Sequence, residues 1–471
     1  MAHPLDVFVA ILAAMPKRIV SGGTGIEDQS FSRPIGTWVG AGLSLAVVGN
    51  GTQSGLLTVS AVVLLAPMVY LLATLKHHAP QARTTSDFVG AVLGERFGVF
   101  TGTVQLGAYL FLAVKFALAS GIATVGIVSA LVDGTSRFSV GFFVVAAIAV
   151  SVVAGILVYQ MSVRGIAWLI AILAAVGMLV LFYASVAVVA LIASGHEPHQ
   201  EIATLAPLRP RPELADVVLA IGLIVGFEVV TTINREVRSV GRSMVAALAV
   251  VAGCALIVTL AMSPHLLGAK GAPDMEFPWL ATAYLGPSSA IWLLIGNVSL
   301  CFAGLVMLIF AASRVTRRWT EELTLNIPNG AQLAGVVAVV AALLLAALVR
   351  SGSVSVVGGA GVLLVLAMYA SAAYACTRIP ASGLVAFIAT AVTVIVAAGV
   401  VVIPLGTQGW SRCGRCGCSL PASFCWQQRV SLSRQTSRLE ARGHLKNPWS
   451  RRGCDSAAVI DAARSLTSTG W

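Results

Sequence analysis

The sequence contains little charge and few aromatic residues. Of its 471 residues, 10% are charged and 7% are aromatic, whereas soluble domains carry about 25% charged residues. So few charged groups cannot cover a globule of this size, which excludes a water-soluble enzyme. The low aromatic content also argues against an outer-membrane barrel with aromatic girdles. Hydrophobic residues make up 58% and the mean hydropathy is +0.91, which indicates an all-α, polytopic membrane protein.

Apolar runs bounded by charge, proline or glycine predict about eleven transmembrane helices. A helix needs about 20 apolar residues to span a bilayer, and the first run is shorter than that. The predicted spans are 35–50, 54–75, 98–132, 138–159, 165–194, 214–234, 243–263, 289–313, 331–349, 354–377 and 382–405. We therefore expect a cytoplasmic N-terminal segment at 1–34, a transmembrane transporter domain at 35–405 and a separate tail at 406–471. The loop at 264–288 has room for a short re-entrant or surface helix.

The net charge of +11 is concentrated in the tail. Residues 408–471 hold ten Lys and Arg against three acids, a net +7, which leaves 20 bases against 16 acids in the remaining chain. The body therefore has no charge pattern for binding nucleic acid. The tail has no apolar period, and we interpret it as disordered or as an out-of-frame translation that replaces a last helix. Its Cys413-x-x-Cys416 pair has zinc-knuckle spacing, but no second pair follows, so no metal site is predicted.

The basic residues of the loops predict the orientation of the chain. Lys and Arg are enriched in cytoplasmic loops. With the N-terminus inside, fourteen of the body's basic residues fall on the cytoplasmic side and five on the other. The sequence thus predicts a multi-pass protein of the inner or plasma membrane with a cytoplasmic N-terminus.

Two charged residues lie inside predicted spans away from their ends, where charge is costly and indicates function by default. They are Glu228 in the sixth span and Lys115 in the third. A carboxyl group removed from water favours its neutral form, so Glu228 is a candidate proton carrier. The alternative is that Glu228 caps or pairs within the bundle without titrating. Lys115 is either a fixed positive charge in a cation site or beside a carboxylate, or it forms a structural ion pair or snorkels to the interface.

Glycine clusters interrupt two of the spans. The clusters are Gly40, Gly42, Gly49 and Gly51 in the first span, and Gly222 and Gly226 in the sixth. Glycine allows a transmembrane helix to unwind beside a cavity, and the freed backbone groups then bind a zwitterionic solute. The alternative is close packing of small residues. Two interrupted spans five helices apart indicate a transporter site between inverted repeats, although no repeat is visible in the residues themselves.

The stretch Gly226-Phe-Glu-Val-Val-Thr-Thr-Ile-Asn-Arg-Glu-Val-Arg-Ser-Val-Gly-Arg-Ser-Met resembles a known signature. It is similar to the sixth helix of amino acid permeases of the amino acid-polyamine-organocation superfamily. The loop from Pro80 to Gly98 and the Ala311-Ala-Ser-Arg motif followed by Pro328 are also similar to that family. The resemblance covers about residues 35–405, and the stretch from Gly226 to Met244 is its specific part.

This resemblance implies a role for several residues. Phe227 would be an aromatic gate over the substrate, beside Glu228 as the proton-responsive acid. Gly222 and Gly226 would be the opened backbone, and the cytoplasmic gate would consist of Glu236 and Arg314. The first span departs from the family in its short length, and either Gly40-Ala-Gly42 or Gly49-Asn-Gly51 is its interruption. The family's Pro-x-x-Gly-Gly loop and a twelfth helix have no counterpart.

The sequence therefore predicts a secondary transporter of amino acids or related amines. It would work by alternating access with proton coupling or exchange, and its partners would be the bilayer, the solute and protons. No enzymatic activity and no cofactor are expected, since the spans contain neither a His-Glu-x-x-His nor a Gly-x-Ser-x-Gly motif. Two alternatives stay open: a membrane sensor or assembly protein that binds a ligand without transporting it, and a degenerate, frameshifted permease copy.

Overall fold

The computed structural model describes most of the predicted transmembrane domain. The described residues are 34–79, 81–82, 84–131, 140–199, 220–234, 236–263, 276–286, 288–322, 338, 340–341, 354–379 and 383–406. The predicted N-terminal segment and tail, apart from their boundary residues, and nearly all of the predicted span at 331–349 lie outside these ranges.

Eleven α-helices and two 3₁₀ segments form the described part of the chain. They are α1 Thr37–Val48, η1 Gly49–Ser54, α2 Leu56–His78, α3 Thr85–Leu93, α4 Glu95–Leu131, α5 Val140–Gln160, α6 Val163–Ala193, η2 Phe227–Ile233, α7 Val240–Ala261, α8 Phe277–Leu285, α9 Ser288–Glu322, α10 Val354–Thr377 and α11 Gly383–Gly406. Seven of these helices are long and apolar enough to cross a bilayer, and they fall on seven of the predicted spans. The prediction of an all-helical, multi-pass membrane protein is confirmed.

The sixth predicted span is interrupted. Residues 220–224 are helical, Gly226 adopts a left-handed conformation with φ of +102°, and η2 follows directly. An alanine at Gly226 would be strained, because side chains with a Cβ rarely adopt this φ. The break predicted from Gly222 and Gly226 therefore lies at Gly226, and Gly222 lies in the helical part before it.

The first span is interrupted at the second of its two candidate sites. The α-helix α1 runs through Gly40 and Gly42 and gives way to η1 at Gly49. Gly40 and Gly42 instead allow close packing, since a Cβ on Gly42 would lie 2.7 Å from the Cβ of Ala171. The opening predicted for Gly40-Ala-Gly42 is thus absent from α1, while Gly49-Asn-Gly51 forms the interruption.

Two short helices accompany the long ones. The helix α8 lies in the loop at 264–288, where a short helix was predicted. The helix α3 was not predicted, although Thr84 and Asp87 form a capping box at its start. In that motif each side chain binds the backbone N–H of the other residue and so satisfies donors at the helix terminus.

The order of elements repeats along the chain. An interrupted segment, a long helix, a helix of nine residues and a very long helix occur first as α1–η1, α2, α3 and α4. The same order returns as residues 220–233, α7, α8 and α9; α3 and α8 each have nine residues, and α4 and α9 have 37 and 35. This is the repeat organisation expected of a broken-helix transporter, with the two interrupted segments in equivalent places.

Candidate functional site

The two interrupted segments meet at Gly226. The Ser44 hydroxyl of α1 donates a hydrogen bond of 2.7 Å to the Phe227 carbonyl oxygen. A Cβ built on Gly226 would lie 2.7 Å from Cγ1 of Val47, so the segments touch where only a glycine fits. A Cβ on Gly51 would similarly lie 2.7 Å from Cγ2 of Ile224. The two interruptions therefore form one contiguous feature at the centre of the bundle.

Glu228 lies fully buried at this junction. The Tyr369 hydroxyl of α10 donates to its Oε2 atom, and the same hydroxyl accepts a hydrogen bond of 3.3 Å from the N–H of Gly226. The backbone opening thus positions the tyrosine that binds the acid. A lone carboxylate away from water is costly unless it is hydrogen-bonded and balanced by positive charge, and a tyrosine provides only the hydrogen bond.

A second tyrosine faces the same carboxyl group. Tyr109 of α4 is fully buried and interacts with Glu228 through its hydroxyl group. Gln105, one turn earlier on α4, donates a hydrogen bond of 2.9 Å from Nε2 to the Tyr109 oxygen. Because this amide occupies one acceptor position of the phenol, the phenol proton is free to point elsewhere, toward the acid.

Phe227 packs beside this group of polar side chains. Its ring is fully buried, and its centroid lies 5.6 Å from that of Tyr369 with the planes tilted by 42°. Gly222 lies apart, against α10, where a Cβ would approach Cγ2 of Val362 at 3.1 Å. Of the residues predicted for this site, Phe227, Glu228 and Gly226 are together, and Gly222 lies about one helical turn away.

Lys115 is not part of the Glu228 cluster. It lies six residues beyond Tyr109 on α4, a rise of about 9 Å along a helix. Among the described residues, its ammonium group interacts electrostatically with the Cys301 thiol of α9. In the part of the chain that the structure describes, no carboxylate forms a salt bridge with Lys115. Glu228 and Lys115, the two charged residues predicted at membrane depth as candidates for proton coupling, therefore lie in different places.

Glu236 and Arg314 form an ion pair at one end of the junction. The Arg314 Nη2 atom lies 2.8 Å from the Glu236 Oε1 atom, and the two side chains are 26% and 8% exposed. Beside this pair the backbone of Ile35 bridges that of Val237: the Ile35 N–H donates to the Glu236 carbonyl oxygen at 2.7 Å. We call this region the Glu236 end.

Two further hydrogen bonds join η2 and the residue after it to the region around α3, next to the Glu236 end. The hydroxyl groups of Thr85 and Thr231 lie 3.0 Å apart, and Nδ2 of Asn234 donates to the Ala82 carbonyl oxygen at 2.9 Å. All three of these polar side chains are buried. They hold the second half of the sixth segment against the chain that precedes α4.

A small pocket, called the cavity below, lies at the opposite end of the first segment. The first segment begins beside Val237 at the Glu236 end and runs to η1, and Gln53 of η1 lines the cavity. Aromatic and polar side chains of α8 and α9 form the other walls, among them Phe277, Trp279, Thr282 and Asn297. The described residues therefore show one end of the junction closed and the other occupied by a cavity.

Several of these residues were not singled out from the sequence. Tyr109 and Tyr369 lie in apolar helices like the exposed Tyr183 and Tyr374, and only their position in the fold distinguishes them. Among the described residues there is no group of three or more His, Cys, Asp and Glu that could hold a metal ion.

Comparison with solved structures shows the fold. No protein-family model and no curated protein sequence matches the chain. The structure of MhsT in complex with L-phenylalanine is 14% identical, with a TM-score of 0.55, and the match covers 77% of this chain and 98% of that one. A substrate-bound, outward-open Na⁺-coupled sialic acid symporter is 13% identical, with a TM-score of 0.46 and coverage of 80% and 91%. A mutant of the Eremococcus coleocola manganese transporter is 14% identical, with a TM-score of 0.48 and coverage of 84% and 93%.

At this level of identity, the match to MhsT shows the fold of the chain and not its function. The narrower resemblance to amino acid permeases stays a prediction. The chain has the broken-helix, inverted-repeat fold of transporters such as MhsT, known as the LeuT fold.

Proposed function

We propose that this protein is a secondary transporter of amino acids or related amines, with Glu228 as its coupling acid. The transporter domain spans about residues 35–405, and the N-terminus faces the cytoplasm. In this orientation the Glu236 end is cytoplasmic and the cavity lined by Gln53 faces outside. The Glu236–Arg314 pair then serves as the cytoplasmic gate, and Phe227 closes over the solute beside the acid.

The observation that carries this proposal is the position of Glu228 at the opened backbone. The acid is fully buried; the Tyr369 hydroxyl donates to its Oε2 atom, the Tyr109 hydroxyl lies nearby, and its Oε1 atom has no hydrogen-bond partner among the described residues. Two neutral phenols do not balance a negative charge in a bilayer, so the carboxyl group needs a proton or a cation whenever it is enclosed. A protonated amine of the solute is such a cation. When the solute amine and the proton replace each other at Glu228, movement of the solute is coupled to movement of the proton.

The opened backbone supports the choice of solute. Backbone groups freed at a helix interruption bind the amino and carboxylate groups of a small zwitterion. In the similar structure of MhsT, the bound molecule is the amino acid L-phenylalanine. Both features favour an amino acid over an inorganic ion as the solute of this protein.

The decisive variant is Glu228→Gln, tested in proteoliposomes with an imposed pH gradient. We expect it to abolish pH-driven accumulation across a panel of radiolabelled amino acids and amines, because a glutamine cannot carry a proton. Binding of the same compounds, measured by thermal shift, should stay within about tenfold, or about 1.4 kcal/mol. Glu197→Gln is the matched control, since Glu197 is exposed in the loop after α6 and its loss should leave accumulation unchanged.

Two outcomes would contradict the proposal. Uphill accumulation retained by Glu228→Gln would remove the coupling role from this acid. Binding without flux in the unmodified protein would favour the alternative, a membrane sensor or assembly protein.

A further inference from the structure

A second polar cluster lies between the cavity and Glu228, and the proposed transport cycle does not yet use it. It consists of Asn50 in η1, Lys115 in α4, and Asn297 and Cys301 in α9. Nδ2 of Asn50 donates to the Cys301 sulfur at 3.0 Å, and the Cys301 thiol donates to Oδ1 of Asn297 at 3.4 Å. The Lys115 ammonium group interacts electrostatically with the same thiol. We call these four residues the Lys115 cluster.

Three elements of the fold, η1, α4 and α9, each place their cluster residue between the cavity and the acid. Asn50 lies six residues beyond Ser44, which contacts the Phe227 carbonyl, and Lys115 lies six residues beyond Tyr109, which contacts Glu228. Six residues correspond to a rise of about 9 Å in an α-helix, and both helices lead away from the Glu236 end. On α9, Asn297 lines the cavity and Cys301 follows one turn later. The cluster therefore lies on the route from the cavity to the acid.

No acidic side chain among the described residues balances the positive charge of Lys115. Among the described residues no carboxylate forms a salt bridge with Lys115, and a lone ammonium group at membrane depth is expensive. Oδ1 of Asn50 is also buried without a hydrogen-bond partner in the described part of the chain. A positive charge beside a free acceptor matches a ligand that carries a negative group and an N–H donor. A free amino acid has both, whereas a simple amine lacks the negative group.

We propose that the Lys115 cluster is an anion-selective station that binds the carboxylate of the solute on its way from the cavity to Glu228. This inference rests on the proposed function and narrows its solute class to amino acids, because amines without a carboxylate have no group for Lys115. The carboxylate binds Lys115 while the ammonium group donates to Asn50. The solute then moves inward until its ammonium group reaches Glu228.

The Cys301 thiol allows a test that does not depend on which amino acid is transported. Membrane-embedded protein is treated from the cavity side with anionic 2-sulfonatoethyl methanethiosulfonate or with cationic 2-(trimethylammonium)ethyl methanethiosulfonate. Each reagent forms a mixed disulfide with the thiol and releases methanesulfinate. Modification of Cys301 is followed by peptide mass spectrometry in the otherwise unmodified chain, and each rate is divided by that with free 2-mercaptoethanol.

We expect the anionic reagent to modify Cys301 at least about tenfold faster than the cationic one, because the Lys115 ammonium group attracts the anion and repels the cation. Lys115→Met should abolish this preference, and Lys115→Arg should keep it. Equal rates for the two reagents, or no modification of Cys301 with either, would overturn the inference. Because the ratio is measured in the unmodified protein, it is informative even if Lys115→Met does not fold.

A protection experiment tests the carboxylate itself. An equimolar mixture of the amino acids other than cysteine, aspartate and glutamate should slow modification of Cys301, whereas the mixture of their α-carboxamides should not. Cysteine is left out because its thiol would consume the reagent, and the two acids because their carboxamides keep a carboxylate; the other carboxamides keep the amine and the side chain and lose only the negative charge. Equal protection by both mixtures, or protection by neither, would refute carboxylate binding at Lys115.

These results are separable from those on Glu228. The reagent preference requires neither a proton gradient nor transport, so it would survive if Glu228→Gln retained uphill accumulation. Conversely, a Cys301 thiol without charge preference would refute the Lys115 station and leave the coupling role of Glu228 intact.

Discussion

The two ends of the junction between the interrupted segments are built from different interactions. At the Glu236 end, a backbone bridge joins the two segments, and an ion pair of 2.8 Å and two buried side-chain hydrogen bonds hold the sixth segment to α9 and to the region around α3. At the other end, mostly apolar and aromatic side chains, with Gln53, Thr282 and Asn297, line a small cavity. Directional, charged contacts thus close one end, while the cavity at the other end is lined mainly by apolar side chains.

This difference indicates which contacts must change during transport. Release of a solute past the Glu236 end requires several specific contacts to separate together, whereas entry from the cavity requires only side-chain rearrangement. Alternating access depends on such an asymmetry between a closed and an accessible side. Weakening the Glu236 end should therefore affect transport more strongly than comparable changes elsewhere.

The largest effect is expected from Arg314→Glu. It places two carboxylates where an ion pair now closes the Glu236 end, and like charges at a partly buried site repel. We expect net accumulation in proteoliposomes to fall by more than about tenfold, or about 1.4 kcal/mol. The double variant with Glu236→Arg and Arg314→Glu should recover most of it, because the pair is restored with its charges exchanged.

Arg378→Glu is the matched control for this prediction. Arg378 is exposed and interacts with the ring of Tyr374, away from the ion pair. Its charge reversal should change accumulation by less than about twofold. If Arg314→Glu behaved in the same way, the ion pair would not be the closure that distinguishes the two ends.

A smaller effect is expected at Gly226, where the two interrupted segments meet between the two ends. Gly226→Ala forces a side chain into a left-handed backbone conformation and toward Val47. Such strain costs about 1 to 3 kcal/mol, which should appear as a lower thermal unfolding temperature of the purified protein. Gly253→Ala is the control, because a Cβ there has nothing within 4 Å. In the middle of α7, alanine should stabilise the helix by about 0.5 to 1 kcal/mol. Equal stability of the two variants would contradict the strained break.

The sequence predicts the sixth segment better than the first. The acid two residues after Gly226 predicts the break, since a charged residue close to a glycine inside a transmembrane span indicates a functional interruption of the helix. In the first span, two glycine pairs with the same spacing are equally good candidates for the break: Gly40 with Gly42, and Gly49 with Gly51. Gly42 packs against Ala171, whereas Gly51 packs against Ile224 in the other interrupted segment. The partner of a glycine is a property of the tertiary fold, so the sequence left both sites open.

The polar partners of Glu228 could not be predicted from the sequence, because they too are set by the tertiary fold. Tyr369 and Tyr109 lie 141 and 119 positions away from the acid, and nothing in the sequence of their own helices links them to it. The repeat was also missed, because it exists in the order and length of elements and not in the residues. Conversely, Thr84 and Asp87 do have the spacing of a helix start, so α3 was predictable.

The smallest effect is expected from Thr231→Val at the Glu236 end. Valine has nearly the same shape as threonine, so this variant removes only the hydrogen bond of 3.0 Å to Thr85 and leaves that hydroxyl buried without its partner. The cost should be about 0.5 to 1.5 kcal/mol, with accumulation reduced by less than about tenfold.

Thr390→Val, which loses only a bond to the Ala386 carbonyl within α11, should cost less. Changing both Thr85 and Thr231 to valine should recover stability, since no polar group is then left unpaired. Additive losses in the double variant would show that the two hydroxyl groups act separately, and the Glu236 end would then be held by the ion pair and the backbone bridge.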